Sequence, residues 1–540
     1  MKAKKFLAVI LALSLSLSLA ACGKGSGDAN SKSSGDGSQI IQNEDGTTTL
    51  VAANKTDPGS YGPYGSGGQR LPYNNVLYET MISVTIDKEI QNVLITGYEE
   101  TAPGVYEIKL YDYIHDTEGN PVKASDVVFS FEKAIENGSY AQVLTSLDSI
   151  EAKDDTTVVM TLKNERAGDL ETILSSINII SQAAWEASGD EMAHNSVGTS
   201  PYKMVEFEEG SYVLFEKTND YWQTDESLVA DRSQANVDYI RWVIINDMSA
   251  GAVALENGEV DHVMAMNTAD YSIFMNDDLT AVGDYQVKVC DNNVFYGMVF
   301  NCNEASPCSD VNLRKAIATS IDMNAVVANV LNGYGRPSGN FVNPAYVDYD
   351  ESMEHSDTYF PYDEAQAKKL VEASDYKGET VKMLVSGNGN LIAASVLFEA
   401  YMKAAGINVE IHQYENATYN SIRTTESATE WDIMLINEQP ASSASNLWGV
   451  MYFADETLYN FGNLQHFSDP KYQELYETMA AKKTHSTESI QAFLDYTEEN
   501  CYMYGLFVAY RCSFGSTNVL ELAVDGTGNI LCGGCKVKPE

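Results

Sequence analysis

Positive charge is what this sequence has least of. Its 540 residues carry 34 lysines and arginines against 77 aspartates and glutamates, a formal net charge of −43 at pH 7. A field of that sign repels phosphate backbones and excludes general DNA or RNA binding. Long apolar runs are also missing: beyond residue 21 no segment offers 18 continuous apolar residues, so no spanning helix is expected there. Histidine is sparse, seven in all, with no two at metal-binding helical spacing; H-E-x-x-H and G-x-S-x-G are both absent. Those gaps argue against an enzyme. Ser386-Gly387-Asn388-Gly389-Asn390-Leu391 has the look of a dinucleotide loop, but Ile392 stands where a third glycine belongs. His115-Asp116 suggests a dyad, though a strand-turn position makes it structural.

What is present begins at the N-terminus. Lys2, Lys4 and Lys5 precede an apolar run from Phe6 to Ala21, too short to span a bilayer and patterned as a signal peptide over residues 1–21. It ends in Leu19-Ala20-Ala21-Cys22, which resembles a bacterial lipobox; the resemblance implies cleavage before Cys22 and a lipid on its thiol. Residues 23–38 are mostly Gly, Ser, Asp, Asn and Lys, a composition that cannot bury enough to order itself, so 22–45 is expected to be a lipidated tether. The expected location is the outer face of the cytoplasmic membrane.

Seven cysteines remain beyond Cys22, an odd number, so at least one lacks an intrachain partner. Cys302 with Cys308 and Cys501 with Cys512 are candidate pairs, since export permits disulfides. Cys532 and Cys535 form a CxxC in a glycine-rich terminus, without the second ligand pair of a zinc site or the strand-helix setting of a redox motif.

Length predicts more than one hydrophobic core. Early segments read as strands, Val105 to Leu110 and Thr156 to Leu162, around a helix that Ser125 caps and Gly138 ends, with Val127, Val128, Phe131 and Ala134 or Ile135 as its apolar face. Later, Asp310 or Asn312 starts a helix through Ser320 and Asp322 caps another. Val381 to Leu384, a helix from Leu391 to Ala405, and Val409 to Gln413 make a β-α-β unit, which implies parallel strands. No metal or cofactor is expected.

Several blocks recur in one order: Gly119 to Glu132; Ser196-Val197-Gly198-Thr199-Ser200-Pro201-Tyr202; Asn219-Asp220-Tyr221-Trp222; Ala254 to Asp261; Asp310 to Asp322; and Asp363 to Ala373. Together they resemble the peptide and nickel class of extracytoplasmic solute-binding proteins, the dipeptide and oligopeptide binders of ATP-driven importers. Locally, Gly198 and Pro201 suit a tight turn and Tyr221 with Trp222 would cover a sheet end. The resemblance implies an α/β, two-lobe periplasmic-binding-protein-like fold, with a discontinuous first lobe (46–295 and 511–540, subdomain about 86–194) and an inserted second lobe (296–510). Its hinge strands should cross near Val294 to Asn301 and Gly505 to Tyr510. A short peptide would sit between the lobes, and the partners would be the importer's permease and ATPase subunits, with the chain itself a monomer.

The resemblance also supplies candidate contacts. Ser66 and Gly67 would lie on a loop near the ligand backbone, or else continue the linker. Asn437 and Glu438 end a strand where peptide binders place an acid for the ligand ammonium; a surface role for Glu438 is the alternative. The family's Trp and Asp-Pro signature is replaced by Gln439 to Ala444, and its carboxylate-binding arginine falls near Gly387 to Asn390, where none exists. Arg511 stands as the replacement or as a salt bridge between lobes. Trp448, Tyr459 and Asn460 resemble ligand-side positions, with core packing the alternative for Trp448 and Tyr459. Thirty-three tyrosines keep an oligosaccharide open; a metal chelate is disfavoured by sparse ligating groups, and a receptor lipoprotein without an importer is the remaining rival.

Overall fold

Alternation along the strands decides how this chain layers. In the computed structural model, which describes residues 46–64, 72–138, 140–141, 143–292, 294–338, 346–350, 353, 360–423, 429–438, 445 and 463–539, one sheet has five strands in the order Val409–Gln413, Val381–Val385, Ile433–Glu438, Phe295–Phe300, Met503–Gly505. Tyr296, Met298, Phe300, Ile433 and Leu435 point into one core, while Phe295, Val299, Met434 and Ile436 point into another. Side chains two apart share a face, so a strand apolar at every position must be covered on both sides. Helices Val311–Ser320, Met323–Val330 and Gly389–Ala404 cover the first face; Pro470–Ala480 and Thr487–Asn500 cover the second. Val381–Val385 runs parallel to Val409–Gln413 across helix Gly389–Ala404, the expected β-α-β unit.

The other large sheet has eight strands. Its path is Gln286–Asp291, Phe507–Gly515, His262–Val263, Thr49–Asn54, Tyr239–Ile244, Tyr212–Lys217, Tyr202–Glu208, with Gly335–Pro337 added beside Phe507–Gly515. Leu50, Ala52, Ile240 and Trp242 face one core, and Ala53, Val263 and Phe514 face another. The first of these cores continues into a four-stranded antiparallel sheet, in the order Ile95–Ala102, Val105–Leu110, Thr157–Leu162, Leu147–Ala152, and its helix Ala124–Asn137. The buried clusters around the eight-stranded sheet share no residue with those around the five-stranded sheet. Separate cores make two lobes. The chain passes from one sheet to the other between Asp291 and Phe295, and returns between Gly505 and Phe507, so the second lobe is inserted into the first.

Local expectations are corrected in places. Helix Ala124–Asn137 is capped at Lys123, whose backbone N–H donates to Asp126 Oδ2 at 2.8 Å; Ser125 lies inside the first turn, and Ile135 is exposed. Asp310 and Asp322 do cap their helices, accepting from Asn312 N at 2.7 Å and Ala325 N at 3.1 Å. The seven cysteines after Cys22 are free thiols, so neither candidate disulfide forms: Cys501 and Cys512 belong to different cores. Burial pushes the Cys535 thiol up to about 12 and the Cys532 thiol well above its ordinary value, the reverse of what a redox CxxC needs. Asp116 spends its Oδ1 on Glu118 N and Asn120 N, both at 2.9 Å, and His115 Nδ1 faces the Asp116 carbonyl, so no dyad is set up. Among the described residues no helix is long and apolar enough to cross a membrane.

The lobes also touch through a clasp. Arg166 and Ala481 form an isolated antiparallel bridge, with Ala167 N donating to Ala480 O at 2.9 Å and Lys482 N to Glu165 O at 3.1 Å. Lys482 Nζ lies 3.2 Å from both Glu100 and Glu165 and donates to the Tyr106 hydroxyl, which donates to Glu165 Oε1 at 2.5 Å. Burial opposes the lysine's charge, yet these three partners outweigh it and hold its pKa above the ordinary value.

Candidate functional site

The site is built on the end of helix Pro72–Leu77. A Cβ on Gly198 would fall 1.9 Å from Leu77 O, so only glycine lets this segment lie on the helix end. Ser200 Oγ donates to Val76 O at 2.6 Å and Ser196 Oγ to Tyr61 O at 3.0 Å. Ser200 thus satisfies a carbonyl that the helix leaves open, while Ser196 ties the block to the segment before the helix.

Glu79 follows at once, buried. Its carboxylate accepts from Tyr221 OH at 2.8 Å, Trp222 Nε1 at 3.0 Å and the Ser233 hydroxyl. Tyr221 and Trp222 therefore grip an acid rather than merely cover a sheet end; Trp222 also packs on Tyr111 at 5.5 Å between ring centroids. The same turn delivers Arg232, whose Nη1 donates to Thr80 Oγ1 at 2.6 Å and Nη2 to Tyr78 O at 2.8 Å and Asn75 Oδ1 at 3.3 Å. Its Nε is buried without a hydrogen-bond partner among the described residues. Burial lowers the guanidinium's pKa, and Glu79 and Asp525 oppose that shift.

A second wall comes from strand Phe507–Gly515. Arg511, opposite Cys290 in register, donates to Asn529 Oδ1 through Nη1 and to Asn292 Oδ1 at 3.4 Å through Nη2. Asn529 belongs to a hairpin turn in which Asp525 Oδ1 accepts from Thr527 N and Oγ1, both at 2.8 Å, and from Asn529 N at 3.0 Å, while Oδ2 accepts from Asn529 Nδ2 at 3.1 Å. Gly528 has φ +77° and a Cβ there would meet Cys290 Sγ at 2.1 Å, so the hairpin is seated hard against the arginine strand.

Between these walls opens a cavity of about 450 Å³, lined among others by Asn75, Thr80, Arg232, His262, Arg511 and Asn529, with Tyr346 and Val347 from the inserted lobe. His262 is neutral: burial drops its pKa to about 4, against a hydrogen bond between Nδ1 and Phe514 O at 2.9 Å. Among the described residues no group of three or more His, Cys, Asp or Glu is placed to hold a metal. The volume suits a small organic ligand, since such pockets run from roughly 300 to 1,000 Å³.

Arg511 is the one sequence-derived contact found on this wall, and among the described residues it makes no ion pair. The charge pair near the crossings is instead Arg336 with Asp291, at 3.0 Å. Strand Ile433–Glu438 ends with Asn437 opposite Tyr296 and Glu438 opposite Phe295, and Asn437 does not line the cavity. Cys22, Ser66, Gly67, Trp448, Tyr459 and Asn460 lie outside the described residues. Arg232, Asn292 and Asn529 escaped sequence reasoning. A signal for Asn529 existed: Asp525-Gly526-Thr527-Gly528-Asn529 repeats the D-x-x-G-N spacing of Asp116-Thr117-Glu118-Gly119-Asn120, and both form the same hairpin, Asp N donating to Asn O at 2.9 and 3.0 Å respectively.

Comparison with known proteins adds a family. Residues 89–460 match the model described as bacterial extracellular solute-binding proteins, family 5, middle. The glutathione-binding protein GsiB of Pectobacterium atrosepticum is 23% identical over 339 residues, 62% of this chain; the match spans 62% of the length of that curated relative. In three dimensions the chain resembles the ABC transporter substrate-binding protein CtaP of Listeria monocytogenes, at TM-score 0.74 and 19% identity, covering 92% of this chain and 100% of that one. A Pseudoalteromonas dipeptide-binding protein holding Met-Leu matches at TM-score 0.67 and 19% identity, covering 91% and 100%.

Proposed function

Because the chain belongs to family 5 of the bacterial extracellular solute-binding proteins, which bind solutes rather than catalyse, we propose that it captures a short peptide between its lobes and delivers it to an ATP-driven importer. The observation that carries this reading is the cavity of about 450 Å³ beside the two passages of the chain between its sheets, where Asn292 and Arg511 meet. A ligand there would touch the segments that must bend as the lobes close, and a ligand that favours the closed form draws the equilibrium toward it. GsiB binds glutathione and the Pseudoalteromonas protein binds a dipeptide, which supports a peptide here.

In this reading lobe I comprises 46–295 and 511–540, with a subdomain near 86–194, and lobe II comprises 296–510. Ser66, Gly67, Asn437, Glu438, Trp448, Tyr459 and Asn460 join Arg511 as ligand contacts on closure. Residues 1–21 direct export, lipidated Cys22 anchors the protein outside the cytoplasmic membrane, and it works as a monomer with permease and ATPase subunits.

Mass spectrometry of ligand released from the purified protein tests the substrate class. Short peptides are expected, and defined peptides should raise the melting midpoint by linkage. Recovery of sugars or metal chelates alone would refute the peptide assignment and leave the fold standing. Radiolabelled palmitate should enter the wild type and not Cys22→Ser; equal labelling would refute the anchor.

A further inference from the structure

His262 is held in the cavity wall by its neighbours on both sides. Its strand, His262–Val263, lies between Thr49–Asn54 and Phe507–Gly515, with His262 opposite Ala52 on one side and Gly515 on the other. The residue before it anchors the backbone: Asp261 accepts from Val51 N and Ser516 Oγ, both at 2.9 Å, and its own N–H donates to Val51 O at 2.7 Å. The ring is then fixed by Nδ1, 2.9 Å from Phe514 O. A carbonyl oxygen can only accept, so Nδ1 carries the proton, and in the neutral ring Nε2 is left as a bare acceptor. Burial keeps the ring uncharged, since His262 is 2% exposed and only the Phe514 carbonyl opposes the effect. Nε2 has no protein partner among the described residues, yet it is not one of the buried polar atoms cut off from solvent, so it opens onto the cavity that the residue lines. Arg232 and Arg511 on the same walls offer only donors, and the asparagines and serines can turn to either role; Nε2 can only accept.

Resting on the solute-binding reading above, we infer that His262 Nε2 is a specificity-determining acceptor in the cavity, which selects ligands presenting an uncharged N–H or O–H to it. For a short peptide that group is one backbone amide N–H, so a proline or an N-methylated residue at that place is rejected. The two arginines bring positive potential to the same cavity, which disfavours a ligand ammonium beside them and leaves a neutral donor as the partner. Selection is steep because a ligand without the hydrogen displaces water from Nε2 and returns nothing, leaving a desolvated acceptor unpaired. Phe514 and Asp261 are the positioning residues: the carbonyl of the first fixes the tautomer, and the hydrogen bonds of the second fix the backbone from which the ring projects.

The test uses the full exported chain with nitrogen-15 histidine, the His262 signals being assigned by their loss in His262→Gln. At neutral pH the free protein should show Nδ1 protonated and Nε2 bare; trialanine should move the Nε2 resonance upfield, toward that of a hydrogen-bonded nitrogen, and leave Nδ1 nearly in place. Calorimetric titration then compares trialanine with its two singly N-methylated amides. One of the two should bind wild type at least about tenfold more weakly than trialanine, and that ratio should fall below about threefold in His262→Phe. The unliganded melting midpoint establishes that His262→Phe folds; should it not fold, the Nε2 response of the wild type decides alone. Bound trialanine that leaves Nε2 unmoved, a proton on Nε2 in the free protein, or undiminished N-methyl discrimination in His262→Phe would overturn the acceptor while leaving peptide capture intact. Should trialanine not bind, the peptide reading falls and the acceptor is judged on maltotriose, a neutral donor of hydroxyls: an upfield Nε2 shift upholds it, and an unmoved or absent response overturns it.

Discussion

Glu79 shows what a single buried acid does in this protein. Three donors from residues 142 to 154 positions away converge on it, and the turn they belong to is the one that places Arg232. Replacing Glu79 with Ala leaves Tyr221, Trp222 and Ser233 without an acceptor, and the loss should be about 2–4 kcal/mol, since each orphaned buried group costs roughly 1–3 kcal/mol and the neighbours relax in part. Urea denaturation should show a lower midpoint at an unchanged slope. His262 adds a pH dependence. Its pKa falls from 6.5 unfolded to about 4 folded, so the neutral form's contribution is complete above pH 6.5 and is lost as pH drops toward 4. The loss amounts to about 3 kcal/mol, and the difference in unfolding free energy between wild type and His262→Gln should shrink across that window; a constant difference from pH 7 to 4 would contradict the assignment. At this scale the sequence was legible in fragments. Tyr221-Trp222 stood out as a motif, but its pairing with Glu79 lies 142 and 143 positions away and leaves no local pattern. Arg232, inside a polar turn of no fixed period, gave no sign of facing a cavity.

Helices of the inserted lobe are joined by one residue. Arg314, buried in helix Val311–Ser320, donates to Cys501 O at 2.9 Å, to Asn500 O at 2.6 and 3.2 Å, and to Cys308 O and Ser309 O at 2.8 Å. Those acceptors include the last carbonyl of helix Thr487–Asn500, where a positive charge is favoured by the helix dipole. Arg314→Met keeps the apolar stem and removes every bond, so a loss of about 3 kcal/mol is expected, read as a lower denaturation midpoint in the purified protein. Element starts in this lobe were the most readable part of the chain, because an Asp before an apolar helix announces its own cap: Asp310, Asp322, Asp363 and Asp469 all accept backbone N–H groups. Sheet order was not readable. His262–Val263 is two residues long, too short for any periodicity, yet it bridges Thr49–Asn54 and Phe507–Gly515.

For the whole molecule, the clasp at Lys482 acts between bodies whose cores are otherwise separate. Its side chains are partly exposed, so solvent screening limits it to about 0.5–1 kcal/mol. Lys482→Gln should therefore weaken ligand binding about two- to fivefold at low salt, by favouring the spread form that binds poorly, and small-angle scattering should show a larger radius of gyration without ligand. An unchanged radius and affinity would remove the clasp from the closing equilibrium. Because the clasp is made of charges near water, raising ionic strength should loosen it, while hydrogen bonds made to a guest inside the cavity are less affected. Guest retention would then have two separable brakes, one responding to the guest's own chemistry and one to the surrounding electrolyte, and the dwell time of a captured molecule should shorten in brine even where its intrinsic fit does not change.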